Sequence, residues 1–407
     1  MLKRGGFLRF IVAILFIFTF AFATLSDKDN YSVDQYIADS LDLPLEFLQS
    51  ERFLKYYQKY ERLKKYSFID VNRVETYFIP ELEKILEAQG IPEIFLFMAM
   101  AESNFASHAK SSKKAVGIWQ FMPKTAQKYG LRIDEFVDER KDPIKATNAA
   151  VKYLKYLHKM FGKWYLAALA YNAGEGTVLK AIKRAGSDKP CVLLDPKKKY
   201  LPKESRVYLY KIASLARLSY DLDSKMSQEL GYVLARGEDF QVVPVKVKGA
   251  EPLSYIAHRI KLKSAYLKSL NPHLKHGFTP PVKSYAVYIP RFKYEDFKKY
   301  YKPSNAFKNF LTYKVRPKDS LYKIAKKFDV RISTLKRFNN LRSNTLRVGQ
   351  KLIIPVLKEN KRIYKVKKGD TILKIAKRFG VDPKKLKQWN DKKDNFLRAG
   401  EKLVVLY

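Results

Sequence analysis

The feature that most limits what this chain can fold into is a repeat in its C-terminal quarter. Tyr313-Lys314-Val315 returns as Tyr364-Lys365-Val366, 51 positions further on. At that same spacing Asp319 matches Asp370, Ile324-Ala325 matches Ile375-Ala376, Phe328 matches Phe379, and Asn339 matches Asn390. Leu346, Gly349 and Leu352 likewise match Leu397, Gly400 and Leu403. Apolar anchors repeated at a constant period mean duplicated modules. Each copy reads strand, helix, helix, strand, over 312–356 and 363–407. A third, divergent copy is expected over 242–292. There Leu253, Ile256-Ala257, Asn271 and Ile289-Pro290 echo Leu321, Ile324-Ala325, Asn339 and Ile354-Pro355. Residues 293–309, rich in lysine with Pro, Ser and Asn, read as a linker.

Before about residue 240 no alternating strand pattern is found, and apolar residues recur at helical intervals instead. A helical lead-in is expected over 24–90, with Phe47, Phe53, Leu54, Tyr57 and Leu63 on its spacing. From Ile91 to Phe105 the chain is apolar nearly all round, which places that helix at the centre of a domain. Further helices are expected over 146–161, 164–185 and 204–220. The predicted architecture is therefore a mainly α domain over 91–225 followed by small α+β (βααβ) modules. The apolar helix ends in Ala101-Glu102-Ser103. A carboxylic acid anchored in apolar surroundings has the raised pKa that a general acid needs. On position alone, Glu102 reads as an ordinary helix-end glutamate.

Three segments follow it in order: Gly117-Ile118-Trp119-Gln120-Phe121-Met122, Ala170-Tyr171-Asn172-Ala173-Gly174 and Glu204-Ser205-Arg206-Val207-Tyr208. With Glu102-Ser103 they resemble the catalytic core of the soluble-lytic-transglycosylase family, a goose-type-lysozyme-like fold that cuts the glycan strands of bacterial peptidoglycan. The repeats resemble LysM modules, with the G-D-T start intact at Gly369-Asp370-Thr371 and altered to Lys318-Asp319-Ser320. The domain order is similar to that of the membrane-bound lytic murein transglycosylase D subgroup. The resemblance implies a lyase in which Glu102 is the one catalytic carboxylate. It would cleave the MurNAc-GlcNAc β-1,4 bond and leave 1,6-anhydroMurNAc ends. Ser103, Gln120, Tyr171, Asn172, Glu204 and Tyr208 would line the substrate cleft, with the Tyr171 hydroxyl toward the acid. Trp119 and Phe121 would be core. Asp319, Ser320, Asp370 and Thr371 are the LysM candidates for glycan contact, and each is equally explained as a turn residue. Lys114 stands where the family has glycine, which predicts an altered loop. A hydrolase of the lysozyme type would need a second carboxylate, from Asp134, Asp138 or Asp142. A wall-binding scaffold with a silent core is the alternative outside enzymology.

The 80 Lys+Arg against 40 Asp+Glu leave a formal charge of +40. Such a balance favours an anionic partner. Composition alone does not choose among nucleic acid, an anionic membrane and a wall polymer; the lysines are spread over every segment, which argues against a nucleic-acid-reading element, and peptidoglycan is the partner that the resemblance implies. Lys3, Arg4 and Arg9, the charge-free run 10–25 and Ala21-Phe22-Ala23 before Ser26 read as a signal peptide over 1–23. The competing reading is an uncleaved anchor giving membrane association, though the run is shorter than the roughly 20 residues a spanning helix needs. Export to the periplasm or cell envelope is expected, as a wall-associated monomer. Cys191 is the sole cysteine. It allows no intramolecular disulfide, and no cysteine is placed for lipid attachment, so a lipoprotein is not expected. Neither a metal site nor a cofactor is expected, since the histidines lack ligand spacing.

Overall fold

The structure, a computed structural model, describes residues 33–63, 68–304 and, with gaps at 329, 340, 358–360, 380, 389, 391 and 393, 307–406. The expected signal peptide over 1–23 lies outside the described residues. The chain forms two units. The first runs to Val247 and adds 252–280 and 284–301; the second holds 302–407 with 248–251 and 281–283.

The first unit is built around helix Phe95–Ser103, in which every residue from Phe95 to Ala101 is buried. An all-round apolar sequence has no solvent face to offer, so it must sit inside. Asn104 stops the helix. It takes φ 51°, returns its N–H to the Met100 carbonyl and donates its side chain to the Phe68 carbonyl at 2.7 Å. Asparagine tolerates this left-handed conformation better than most residues. Helix Lys203–Ser219 packs on the central helix and also on Trp164–Ala173, itself buried from Tyr165 to Ala170. Helix Pro143–Phe161 carries its start and stop in its sequence. Asp142 caps it by accepting from the Lys145 N–H at 3.0 Å, Pro143 opens the first turn, and Gly162 at φ 70° ends it. The lead-in helices Val33–Leu41, Glu51–Glu61 and Ile79–Ala88 place Ile37, Phe53 and Leu82 in the same hydrophobic cluster. The lead-in therefore shares one core with the helix that bears Glu102.

Three two-stranded sheets follow: Val242–Lys248 with Ser284–Pro290, Phe307–Lys314 with Lys351–Leu357, and Lys361–Lys365 with Lys402–Leu406. Each pair encloses two short helices. One asparagine performs the same task in all three. Asn271 donates to the Leu267 and Tyr288 carbonyls at 2.9 and 2.8 Å and accepts from the Tyr288 N–H at 2.9 Å. Asn339 does so with Leu335 and Ile353, at 2.8, 2.8 and 2.6 Å. Asn390 does so with Leu386 and Val404, at 2.8, 2.8 and 2.6 Å. The side chain ties the second helix to the closing strand, and Asn271 repeats within the expected divergent copy over 242–292 the contacts of the later two. The later modules have separate cores, around Ile324, Leu335 and Leu352 and around Ile375, Leu386 and Leu403. In the first, Tyr288 joins the helical core of the first unit. The expected linker over 293–309 is in part a helix, Tyr294–Tyr300. Glu295 and Asp296 in its first turn and Lys298 and Lys299 in its last suit the helix dipole, a pattern that composition alone hides.

Candidate active site

Glu102 lies in the last turn of the central helix, half-buried. Tyr208, on Lys203–Ser219, donates its hydroxyl to Glu102 Oε1 at 2.5 Å. Lys211 follows on the same helix face and hydrogen-bonds the Ala101 carbonyl. Burial pushes the Glu102 carboxyl above the usual glutamate range; the Tyr208 hydrogen bond and the Lys211 ammonium oppose this, and the Glu204 charge adds to it. Burial also holds the Tyr208 and Tyr171 hydroxyls well above an ordinary phenol, with the Glu102 charge as second cause, so both act as donors. Lys211 is lowered by burial, with Glu102 pulling it back up. The result is a carboxyl whose neutral form is favoured by burial, with a hydroxyl donor and a cation close by that favour its anion. Such a group can give a proton and then take one.

The segment after Glu102 is strained. Asn104, Phe105, Lys114 and Gln120 take φ of 51°, 58°, 70° and 46°. That conformation costs a non-glycine residue about 1–2 kcal/mol, and such costs concentrate at functional sites. Lys114 occupies the left-handed region that the family's glycine would favour, so the altered loop expected from that substitution need not arise. Gly117 is obligatory: at φ 85°, an added Cβ would lie 1.8 Å from the Arg140 carbonyl oxygen. Side chains of the cleft hold the middle of the loop. Ser103 Oγ donates to the Ile118 carbonyl at 3.0 Å, the Tyr171 hydroxyl to the Trp119 carbonyl at 2.8 Å, and Gln120 Nε2 to the Gly117 carbonyl at 2.8 Å. Trp119 and Phe121 are core residues, and the Trp119 indole N–H donates to Thr147 Oγ1 at 2.8 Å.

Glu102, Ser103, Tyr171 and Tyr208 thus come together, with one exchange of roles. The tyrosine donating to the acid is Tyr208, while Tyr171, expected there, turns to the loop backbone. Gln120 folds its amide back onto its own turn. Asn172 Oδ1 accepts from Ser205 Oγ at 2.7 Å and so joins the ends of two helices. Glu204 is exposed, 3.7 Å from Lys113 Nζ. Glu175, which follows the Ala170–Gly174 segment, is half-buried and accepts from the Tyr153 hydroxyl at 3.0 Å. Lys211 carried no signal in the sequence; its place one turn beyond Tyr208 is the only hint. The carboxylates a hydrolase would draw on are engaged elsewhere. Arg140 grips Asp138 at 2.9 and 2.8 Å, Asp142 accepts from the Tyr288 hydroxyl at 2.8 Å, and Asp134 accepts from the Phe136 and Val137 N–H groups at 2.7 and 2.9 Å.

In the two C-terminal modules the four candidate residues shape the start loop. Asp319 accepts from the Tyr313 hydroxyl and the Arg316 N–H at 2.8 and 2.7 Å, and Asp370 from Tyr364 and Lys367 at 2.7 and 2.8 Å. Ser320 and Thr371 cap their helices by accepting from the Lys323 and Lys374 N–H groups, each at 3.2 Å.

Residues 82–192 match the family described as Transglycosylase SLT domain. Residues 241–306 match Lytic transglycosylase MltD, LysM-like domain, and 313–355 and 364–406 match LysM domain. The chain is 29% identical over 394 residues to Membrane-bound lytic murein transglycosylase D of Escherichia coli (strain K12), covering 91% of this chain and 84% of that protein. It is 41% identical over 97 residues to Peptidoglycan transglycosylase gp16 of Escherichia phage T7, covering 23% and 7%. It is 36% identical over 92 residues to Cell wall-binding protein YocH of Bacillus subtilis (strain 168), covering 22% and 32%. The chain carries a transglycosylase SLT domain, a module of the MltD LysM-like type and two LysM domains, and over nearly its whole length it is similar to a membrane-bound lytic murein transglycosylase D.

Proposed function

We propose that the protein is a peptidoglycan lytic transglycosylase that works with a single carboxylate. The observation that carries this reading is the half-buried Glu102 held at 2.5 Å by Tyr208, with Asp134, Asp138 and Asp142 committed to other partners. Glu102, protonated because burial favours its neutral form, gives its proton to the oxygen bridging MurNAc and GlcNAc. The bond from that oxygen to C1 of MurNAc breaks, and the MurNAc acetamido group supports the cationic centre from within the substrate. Glu102, now an anion beside Tyr208 and Lys211, takes the proton of the MurNAc 6-hydroxyl, whose oxygen closes on C1. The proton returns to Glu102, no water is consumed, and the product is a 1,6-anhydroMurNAc end. Because the attacking hydroxyl belongs to the same sugar, the ring closure gains from proximity.

In this reading Ser103 and Tyr171 set the loop backbone beside the acid, Asn172 and Gln120 shape the cleft, and Glu204 stands at its rim. The LysM modules bind the glycan near the start loop at Asp370 and Thr371 and the loop before Leu397. The catalytic domain, its lead-in included, is exported to the cell envelope, in keeping with the basic and then apolar N-terminus. Among the described residues, no helix is long and apolar enough to cross a membrane. Digestion of purified sacculi followed by mass spectrometry tests the proposal. Anhydro ends are expected, and reducing MurNAc ends would mean hydrolysis instead.

A further inference from the structure

Segment 134–142 is held from two sides. Toward the site, Arg140 is buried and donates to the carbonyls of Lys114 at 3.0 Å and Phe121 at 3.2 Å, the two ends of the loop that contains Gly117 to Gln120. Its own carbonyl closes on Gly117, where no Cβ fits. Asp138 fixes the guanidinium at two points. From the other side the first LysM-like module takes hold. The Asp138 N–H donates to the His273 carbonyl at 3.0 Å, and the Lys275 N–H to the Phe136 carbonyl at 3.0 Å. From the closing strand of the module, the Tyr285 hydroxyl donates to Glu139 at 2.9 Å and the Tyr288 hydroxyl to Asp142 at 2.8 Å. Buried carboxylates are tolerated only when such donors meet them, and here the module supplies two of those donors.

We infer that the module over 242–292 is a clamp on the catalytic loop, and that Arg140 is the positioning residue through which it acts. Without the two tyrosine hydroxyls the segment relaxes, and Arg140 loosens both carbonyl contacts. The Ile118 and Trp119 carbonyls, which seat Ser103 and Tyr171 beside Glu102, then move with the loop. A misplacement of about 1 Å at a reacting centre costs on the order of 10² in rate. The inference rests on the activity proposed above.

The test uses the full chain acting on soluble, uncrosslinked glycan strands, with anhydro ends counted by mass spectrometry. Wild type is measured first; its failure to turn over would defeat the proposed activity, not the clamp. The variants are Arg140→Met, the near-isosteric pair Tyr285→Phe with Tyr288→Phe, and all three together. A kcat loss of about tenfold or more is expected for each, with KM within about threefold. The triple variant is expected to be no slower than Arg140→Met, because groups acting through one element are not additive. Near-UV circular dichroism must show native packing at the assay temperature. A loss confined to temperatures where the variant melts overturns the clamp, as does an unchanged kcat in the paired variant or losses that multiply in the triple. Weaker retention on sacculi with kcat intact would make the module a glycan binder and overturn it as well. Should Arg140→Met fail to fold, the paired variant decides alone.

Discussion

Glu102→Gln is the sharpest test of single-carboxylate chemistry. The amide keeps the shape of the side chain and leaves an oxygen to accept from Tyr208 across the same 2.5 Å contact, so only the transferable proton and the charge are lost. General acid catalysis contributes about 10² to 10⁴ in rate. Glu102 is asked to act twice, once as acid and once as base, so a loss of about 10⁴, roughly 5.4 kcal/mol of barrier, is the expected scale. Anhydro-muropeptide release from sacculi reads it directly. Turnover within about tenfold of wild type would refute the role, since a side chain that cannot ionise would then suffice. Stability supplies an independent check. Burial raises the Glu102 pKa above its unfolded value. Its protonated form therefore stabilises the fold fully at pH below the ordinary glutamate range, and that contribution is lost as pH rises through the folded value. Glutamine does not titrate, so the variant should melt higher than wild type at neutral pH, and the gap should narrow toward pH 4 and below. A gap that does not change with pH would mean that Glu102 is not held in a desolvated site.

The remaining predictions concern the support of the site and the modules. Tyr208→Phe removes a hydrogen bond that favours the carboxylate, so the alkaline limb of the pH–rate profile should move to higher pH while the fold persists; a limb that moves down would contradict the assigned donor. Ending the chain after residue 306 should leave an active core that is retained less on sacculi, because two linked weak modules raise local concentration; equal retention in a pull-down would count against binding by the repeats. Asn390→Ala strips three hydrogen bonds from a small module, and a buried group left unpaired costs about 1–3 kcal/mol, so the last module should lose its amide protection in hydrogen exchange. Binding to purified wall should weaken, not vanish, as salt rises; complete loss with DNA competing as well as wall fragments would make charge the recognition element.

Much of this was open to reading from residues. The all-round apolar run around Met98 could only be buried, and a glutamate at its end had to emerge beside that core. The pairing of Asn339 with Asn390 pointed to a shared task, and Asn271 extended it to a module whose other residues have drifted. Direction was harder. Tyr171 and Tyr208 are both tyrosines on buried helices, and nothing local says which hydroxyl turns to the acid; packing around the 95–103 helix decides. Arg140, Tyr285 and Tyr288 were beyond reach for a different reason. Tyr285 meets Glu139 across a sequence separation of 146 residues, and each looks unremarkable in its own neighbourhood. Asp319 and Asp370 show the reverse case, where a family motif suggests ligand contact and the side chains are engaged in their own turns.

A formal charge of +40 sits awkwardly with a site that depends on a protonated carboxylic acid, because cations favour the anion. Placement reconciles the two. The cation whose field bears on Glu102 is Lys211; its amine is bonded to the Ala101 carbonyl, and its own burial disfavours its charged form. Lysines such as Lys113, with a side chain 80% exposed, act through water. At physiological salt their fields fade over roughly 8 Å. They can draw in a polymer bearing carboxylates without reaching the acid. Burial therefore shifts Glu102 toward its neutral form, the form the proposed chemistry needs at the start. Tyr208 and Lys211 oppose that shift, and in the proposed cycle they would favour the anion once the proton has gone and the next one has to be taken.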